Sequence, residues 1–140
     1  MIGELSSYSA AEAAAMEALM QCLSPTSHCS AAQMEAAAGD PSTHIYVARE
    51  EGAIVATATL VVCRTPERTF GEVEAVAVLP AWRGRGLGRR LMEHIIAEAP
   101  RLGCGSLHLT SRPARVAANE LYRRLGFCLR ETNCYEKVLN

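Results

Sequence analysis

Helical spacing of apolar side chains dominates the first part of the chain. Residues 9–25 carry methionine and leucine at three- and four-residue intervals after Ser9, and Glu12 follows that serine by three positions. This is the arrangement of a capping box, in which the serine and glutamate side chains each satisfy a backbone N–H at a helix start. A second, shorter helix is predicted over residues 30–38, closed by Gly39.

Period-two alternation replaces the helical pattern after the second helix. In residues 43–50, Ile45 and Val47 alternate with Tyr46 and Ala48. Glu51 and Gly52 then form a turn, and residues 53–62 are a second extended run. Two such runs joined by a short glycine turn are typical of a β-hairpin. Residues 71–79 are rich in valine and predict a third long strand.

The rest of the chain alternates between helices and strands. Apolar residues return to helical spacing from Gly86 until Pro100, and glycines then bracket a turn into a strand at 106–111. The last predicted elements are a helix from Pro113 to Gly126 and strands at 127–131 and 134–139. This order predicts a mixed α+β fold with a central, mostly antiparallel twisted sheet, about four flanking helices and a single domain over 1–140.

Composition excludes several classes of protein. The chain is 49% hydrophobic and 21% charged, as in globular proteins, and no apolar run approaches the length of a membrane span. No secretory signal is recognisable, so we expect a cytoplasmic protein that does not bind a membrane. Six cysteines without a C-x-x-C pair predict reduced, mostly buried thiols and no metal site.

Charge is divided unevenly along the chain. Residues 81–130 contain ten arginines and three glutamates, whereas the remainder contains four basic and twelve acidic residues. The first set suits an anionic ligand, and the second suits a cationic one.

A glycine-rich turn concentrates that positive charge at the start of a helix. The stretch "RGRGLGRR" follows a strand that ends at Leu79. Helix N-termini leave backbone N–H donors free, and glycines let phosphate oxygens approach them closely. A tight structural turn with solvated arginines is an alternative, and so is a nucleic-acid site, although interleaved aromatic residues are missing. The Rossmann spacing and the Walker lysine are both absent.

Two stretches resemble known signatures. The spacing Arg83-x-x-Gly86-x-Gly88, after "VEAVAVLPAW", resembles the acyl-CoA signature of the GNAT family of N-acetyltransferases. The stretch "LHLTSRPARVAANELYRRLGF" at 107–127 resembles the family's second signature, a strand and then a helix with a tyrosine before Leu-Gly-Phe. The resemblance implies the GNAT fold, acetyl-CoA as cosubstrate, an amine acceptor and direct transfer without a metal.

The resemblance also implies which residues hold acetyl-CoA. In this family the strand before the turn splays from the next one, so its amides at Val76, Ala77 and Val78 would bind the pantetheine arm like an added strand. Asn119 would lie near the pantetheine. Backbone amides of the turn would hold the pyrophosphate, through Arg83, Gly84, Arg85, Gly86, Leu87, Gly88 and Arg89.

Catalysis by amine attack needs two proton transfers. By resemblance Tyr122 lies beside the cofactor's sulfur and is the general acid, whereas a core tyrosine is the alternative. Glu74 matches a strand glutamate common in the family, and alternation places it on the face of Val76 and Val78. It would accept the amine proton, and a solvated or salt-bridged carboxylate is the alternative. Glu72 is the runner-up base, on the same face unless a bulge intervenes.

Some residues depart from the family pattern or have structural interpretations. Arg115 stands where the family often has an asparagine, and it could bind phosphate instead. Ala75 replaces a frequent Asp or Asn, and "MIGEL" offers at most a short first strand. We interpret Trp82 as shielding the turn and His108 as a sheet-face residue.

The acceptor and partners are less defined. A cationic primary amine is expected, with a small molecule favoured over a protein, and the alternative function is a non-catalytic acyl-CoA-binding module or complex subunit. We expect no nucleic-acid partner. Family members pair through their sheets or late strands, which leaves a homodimer open.

Overall fold

A computed structural model describes residues 1–140. It contains a five-stranded sheet and four α-helices. The strands are β1 (Ile2–Glu4), β2 (Thr43–Glu50), β3 (Ala53–Arg64), β4 (Thr69–Val78) and β5 (Leu107–His108). The helices are α1 (Ala10–Gln21), α2 (Ala31–Gly39), α3 (Leu87–Glu98) and α4 (Val116–Arg124). The mixed fold class with a mostly antiparallel sheet is confirmed.

The chain divides into two compact units, Met1–Thr110 and Ser111–Asn140. The first holds the sheet with α1, α2 and α3, and the second holds α4. A single functional domain over 1–140 stays a prediction.

The sheet follows chain order from β1 to β5. The first four strands pair antiparallel, and β5 pairs parallel with β4. The predicted hairpin is confirmed as β2 and β3, joined at Glu51 and Gly52. The "MIGEL" segment does form a short strand, β1, at one edge of the sheet.

One face of the sheet packs against α1 and α2, and we call it the α1 face. Alternate residues of the central strands point into this layer, since strand side chains alternate between the two faces. The buried cluster contains Leu5, Met16, Leu19, Met34, Ile45, Val47, Ile54 and Ala77.

The opposite face packs against α3, and we call it the α3 face. Tyr46 lies between Ile45 and Val47 in sequence, so it points to this side, where its ring meets His94 of α3 edge-on at 4.8 Å. Leu91, Met92 and other apolar residues of α3 are buried, as their helical spacing predicts. The central strands are therefore covered on both faces.

The two last predicted strands, 127–131 and 134–139, are wrong. No strand follows β5, and Leu129 and Tyr135 are 98% and 88% exposed. A strand exists only where its backbone pairs with a neighbour, and side-chain alternation specifies the faces of a strand without providing that neighbour. The predicted strand at 106–111 is reduced to the two paired residues of β5 for the same reason.

The cysteines are all free, as predicted. The expectation that most are buried is wrong, because Cys104 alone is buried and Cys128 and Cys134 are exposed on the segment that forms no strand.

None of the helices has the length and apolar character needed to cross a membrane. No group of three His, Cys, Asp or Glu side chains is arranged to hold a metal ion.

Candidate active site

A β-bulge interrupts β4 in the middle of the predicted site. Glu74 lies opposite Thr59 and Ala77 lies opposite Thr57, so one residue of β3 faces two residues of β4, Ala75 and Val76. Ala75 has a φ of 53°, in the left-handed region that residues other than glycine rarely adopt. Strained backbone of this kind persists where the surrounding structure enforces it, and bulges are frequent beside active sites.

The bulge reverses the alternation of side chains along β4. Residues directly opposite each other in an antiparallel pair share a face, so Glu74 and Ala77 both lie on the α1 face with Thr59 and Thr57. Val78 lies opposite Ala56 and therefore points to the α3 face. The predicted sharing of one face by Glu74, Val76 and Val78 is wrong, because a one-residue insertion moves the following side chains to the other face.

The far edge of β4 is open beyond its first residues. β5 pairs with β4 only at Gly71 and Glu72, while β4 continues to Val78. No strand pairs with that side of β4 from Val73 onward. An extended ligand can hydrogen-bond to such an edge as an added strand would.

A glycine-rich turn joins that open edge to α3. Pro80–Trp82 forms a 3₁₀ turn, and Gly84 and Gly86 then adopt φ values of 78° and 77°. These two positions need glycine for their backbone conformation. α3 follows with no side-chain cap on its N-terminus.

Gly88, in the first turn of α3, has a different reason to be glycine. A Cβ added there would lie 4.0 Å from Cγ2 of Val78, which is an ordinary contact. The chain's own packing therefore accommodates a Cβ at Gly88, and the glycine leaves room for a ligand to approach the helix end closely.

Two arginines of the turn are held by the turn itself. Arg83 donates from Nε to the carbonyl of Val78 at 3.1 Å, which ties the turn to the end of β4. The Arg85 guanidinium lies 4.5 Å from the centre of the Trp82 ring, and Nη2 donates to the Ala81 carbonyl at 3.4 Å. Neither arginine is neutralised by a carboxylate, so the turn keeps both charges.

The next two arginines lie in the first turn of α3. Arg89 forms an ion pair with Glu93 at 3.1 Å, one helical turn later. Both side chains of that pair are more than half exposed. Such a pair contributes little stability, and a phosphate could displace the glutamate.

Two carboxylates lie next to each other on the α1 face of β4. Glu72 and Glu74 lie opposite Val61 and Thr59, in unbroken register, so they share this face. Glu74 is exposed, and partial desolvation, followed by the charge of Glu72, raises its pKa above the ordinary value. A raised pKa suits a carboxylate that accepts a proton near neutral pH.

An aromatic stack borders these carboxylates, and sequence analysis missed it. His108 pairs in register with Glu72, and its ring stacks on Phe70 at 4.7 Å. Arg68 lies over the Phe70 ring at 4.8 Å, and Ser106 Oγ lies 3.3 Å from His108 Nε2. The sequence carries no local signal for this group, because β4 and β5 meet only through the parallel pairing.

Tyr122 lies in the second unit, on α4. It is buried, and Phe127 meets its ring edge-on at 6.0 Å. Burial raises the pKa of the Tyr122 phenol, and the charge of Arg115 opposes that shift. The phenol is therefore protonated at neutral pH, as a proton donor must be.

Asn119 makes a structural contact within the second unit. Its side-chain Nδ2 donates to the carbonyls of Arg112 and Arg115 at 2.9 and 2.8 Å, which fixes the segment that leads into α4. The amide nitrogen is therefore used inside the protein, and its oxygen is left as the group for an external donor.

A match to one protein-family model establishes the family of this chain. The family model "Acetyltransferase (GNAT) family" covers residues 12–127, which is most of the chain. This protein belongs to the GNAT acetyltransferase family. The suspected resemblance is confirmed, and both of the stretches that suggested it lie within the matched region.

Relatives of this GNAT chain include curated and solved proteins. It is 34% identical over 87 residues to an IAA acetyltransferase of Azospirillum brasilense, a match covering 62% of this chain and 56% of the relative. It is 38% identical over 88 residues to the N-alpha-acetyltransferase RimI of Mycobacterium tuberculosis, covering 62% of this chain and 53% of the relative. A solved structure from Agrobacterium tumefaciens, also assigned as an acetyltransferase, has a TM-score of 0.86 at 27% identity and covers 99% of both chains. The matches span about half the length of these curated relatives.

In this GNAT chain the predicted residues fall into two sets. The first unit brings together the open edge of β4, the glycine-rich turn and the start of α3, which follow one another without interruption from Val76 to Arg89. Tyr122 and Asn119 belong to α4 in the second unit. Their roles toward acetyl-CoA stay predictions.

Proposed function

We propose that this protein transfers the acetyl group of acetyl-CoA directly to a primary amine. The observation that carries the proposal is the uninterrupted path from the open edge of β4 to the turn and the α3 N-terminus. The edge offers hydrogen bonds to an extended amide-containing arm, and the turn offers backbone donors and arginines to phosphates. Family membership supports the same cosubstrate.

The residues present fit acetyl-CoA along this path. Val76, Ala77 and Val78 would bind the pantetheine amides, and the turn from Arg83 to Arg89 would bind the pyrophosphate. The helix end contributes about half a positive charge in addition to the arginines. Acetyl-CoA would supply an acetyl thioester. The amine nitrogen would form a bond to the acetyl carbon, and the carbon–sulfur bond would break to release the CoA thiol.

Glu74 would remove the proton that the amine loses, directly or through one water. Pairing with Thr59 places this carboxylate on the α1 face, so we expect the amine to approach from that side of the sheet. Desolvation, followed by the charge of the neighbouring Glu72, raises the pKa of Glu74. Glu72 is the alternative base.

Tyr122 would donate a proton to the departing thiolate. Its burial keeps the phenol protonated up to a higher pH than an exposed tyrosine, so the donor form is present throughout the neutral range. The proposed reaction then uses Glu74 as the base and Tyr122 as the acid.

The acceptor proposed first is a small cationic amine. The excess of acidic residues outside 81–130 and the carboxylate pair on the α1 face support a positively charged acceptor. A peptide α-amino group is the second candidate, because one relative is an N-alpha-acetyltransferase.

The decisive experiment measures release of CoA thiol from acetyl-CoA with a panel of amines. The panel contains polyamines, aminoglycosides, lysine derivatives and short peptides with free amino termini, and acetylated products are identified by mass spectrometry. We expect thiol release with at least one class, and we expect Tyr122→Phe and Glu74→Gln to lower kcat while acetyl-CoA still binds. Binding of acetyl-CoA without release for any amine would instead favour a non-catalytic acyl-CoA-binding module.

The pH profile tests the role of Glu74 separately. Activity should rise with pH as Glu74 loses its proton, because only the carboxylate can act as base. Glu72→Gln removes the charge that raises the pKa of Glu74, so the acid limb of kcat/KM should move to lower pH. An unchanged acid limb in this variant would argue against Glu74 as the titrating base.

A further inference from the structure

We propose that Trp82 is a positioning residue that holds Arg85 ready for a phosphate group of CoA. This inference rests on the proposed function, because it takes the glycine-rich turn as the cofactor site. The Trp82 ring holds the Arg85 guanidinium in place while leaving its positive charge available to the ligand.

The geometry restricts Arg85 from two sides. Its guanidinium lies 4.5 Å from the centre of the Trp82 ring, within the range of a cation–π contact. Nη2 also donates to the carbonyl of Ala81 at 3.4 Å. The Trp82 backbone is itself fixed, because it ends the 3₁₀ turn and its N–H donates to the Leu79 carbonyl at 2.9 Å. The Trp82 side chain is half-buried.

The partner type distinguishes Arg85 from most other arginines of the first unit. Arg89 is held by Glu93 at 3.1 Å, and Arg101 by Glu98 at 3.4 Å. A carboxylate orders an arginine but cancels its charge, so a phosphate must compete with that carboxylate. An aromatic ring orders the guanidinium without neutralising its positive charge, because the ring has no net charge.

Prior ordering should improve affinity for the phosphate. A free arginine side chain loses rotamer freedom when it binds a ligand, and a side chain already held in place loses less. Arg85 is exposed and follows Gly84, whose left-handed backbone lets the turn double back toward the indole. The ring and the turn therefore prepare one donor fork beside the backbone donors of α3.

The experiment is a double-variant cycle on the full chain. Acetyl-CoA binding is measured by calorimetry, and KM by thiol release with saturating amine, for wild type, Trp82→Leu, Arg85→Gln and the double variant. Trp82→Leu should weaken binding roughly two- to fivefold, the size of an exposed cation–π contact. In the Arg85→Gln background it should cause no further loss, and Trp82→Phe should restore part of the affinity.

Two further arms separate this role from a general effect on folding. S-acetylpantetheine has no phosphate, so Trp82→Leu should leave its KM unchanged while raising the KM for acetyl-CoA more than it lowers kcat. Arg101→Gln removes one positive charge beyond the other end of α3 and should leave acetyl-CoA binding unchanged. Comparing CoA with 3′-dephospho-CoA assigns the contact, because a loss confined to CoA identifies the 3′-phosphate and a loss shared by both identifies the pyrophosphate.

Other outcomes overturn the inference and can be told apart from failure of the proposed function. An equal loss with S-acetylpantetheine would make Trp82 a folding residue, and an additive double variant would make it a direct ligand contact. Wild-type affinity in Trp82→Leu would also refute the inference while leaving the proposed function intact. The proposed function fails instead if wild-type protein does not bind acetyl-CoA or acetylates no amine.

Discussion

Helices α1 and α2 begin differently from α3. Ser9 Oγ accepts from the N–H of Glu12 at 3.1 Å, and the Glu12 carboxylate accepts from the N–H of Ser9 at 3.1 Å, which is the predicted capping box. Ser30 caps α2 by accepting from the N–H of Gln33 at 3.1 Å. Gly86 precedes α3 and provides no side-chain cap. In each of the two packing helices a serine side chain satisfies one N-terminal donor, and α3 has no such cap.

Charge also distinguishes the start of α1 from that of α3. Glu12 in the first turn of α1 is favourable beside the positive end of the helix dipole, whereas Arg89 and Arg90 stand at that end of α3 and are unfavourable there. The N-terminus of α3 is therefore less stable than that of α1, and a bound anion would stabilise it. The comparison suggests that its N-terminus is arranged for a ligand rather than for folding.

An acidic residue in the first turn of α3 would make its N-terminus resemble that of α1, and we expect the largest effect from this change. Gly88→Asp places a carboxylate among the donors of the α3 N-terminus, where it should help the helix and repel the cofactor's phosphates. We expect acetyl-CoA binding to weaken by a factor of roughly 10 to 100, the range of a like-charge contact near a protein surface. Calorimetry with acetyl-CoA measures the loss.

Two neighbouring variants separate charge from bulk at this position. Gly88→Asn has nearly the same size as the aspartate without its charge, and it should lose less affinity. Gly88→Ala should raise the free energy of unfolding by up to about 0.5–1 kcal/mol, because alanine favours helix more than glycine does. If Gly88→Asp bound acetyl-CoA as wild type does, the phosphates would not lie at this helix end.

The converse variant removes a cap from a packing helix. Ser9→Ala leaves the N–H of Glu12 without its partner and should lower the free energy of unfolding by about 1 kcal/mol. Acetyl-CoA affinity should not change, because α1 has no role in the proposed cofactor path. Thermal unfolding and calorimetry on the same sample test both statements, and a selective loss of affinity would contradict the division of roles.

The smallest expected effect is a pH dependence at the start of α1. The hydrogen bond from Arg49, followed by that from the N–H of Ser9, lowers the pKa of Glu12 below its ordinary value of 4.5. A carboxylate whose folded pKa is lowered contributes stability above its unfolded pKa and loses that contribution as pH falls through the folded value. Glu12→Gln should therefore melt below wild type at neutral pH, and the gap should narrow at about pH 3.5.

A matched control keeps this measurement specific. Glu35→Gln changes an exposed carboxylate of α2 that forms no ion pair in the structure, and its melting temperature should track wild type at both pH values. A gap for Glu12→Gln that stays constant with pH would mean that the ionised form contributes nothing.

Much of the fold followed from local patterns. The capping box at Ser9, the hairpin turn at Glu51 and Gly52 and the buried stripe of α3 each depend on residues within a few positions of one another. The spacing of residues in the sequence predicts such local interactions. The glycine-rich turn could be recognised in the same way, because the φ values of Gly84 and Gly86 are a local property.

The candidate site was only partly predictable. The run "VEAVAV" is apolar on both faces, so nothing in it indicates the bulge at Ala75 that moves the Val78 side chain to the face opposite Glu74. The stack of His108 on Phe70 depends on parallel pairing between strands more than thirty residues apart in the chain. Neither feature has a local signal.

The sequence by itself determined the four helices, the β2–β3 hairpin and the long strand β4, where the glycine-rich turn lies and which family the chain resembles. Only the tertiary structure decided that β4 bulges, that β5 leaves its edge open after Glu72 and that residues 127–139 form no strand. The physical reason is that helix and turn hydrogen bonds close within a few residues, whereas strand pairing, register and face depend on a distant partner that the local pattern does not specify.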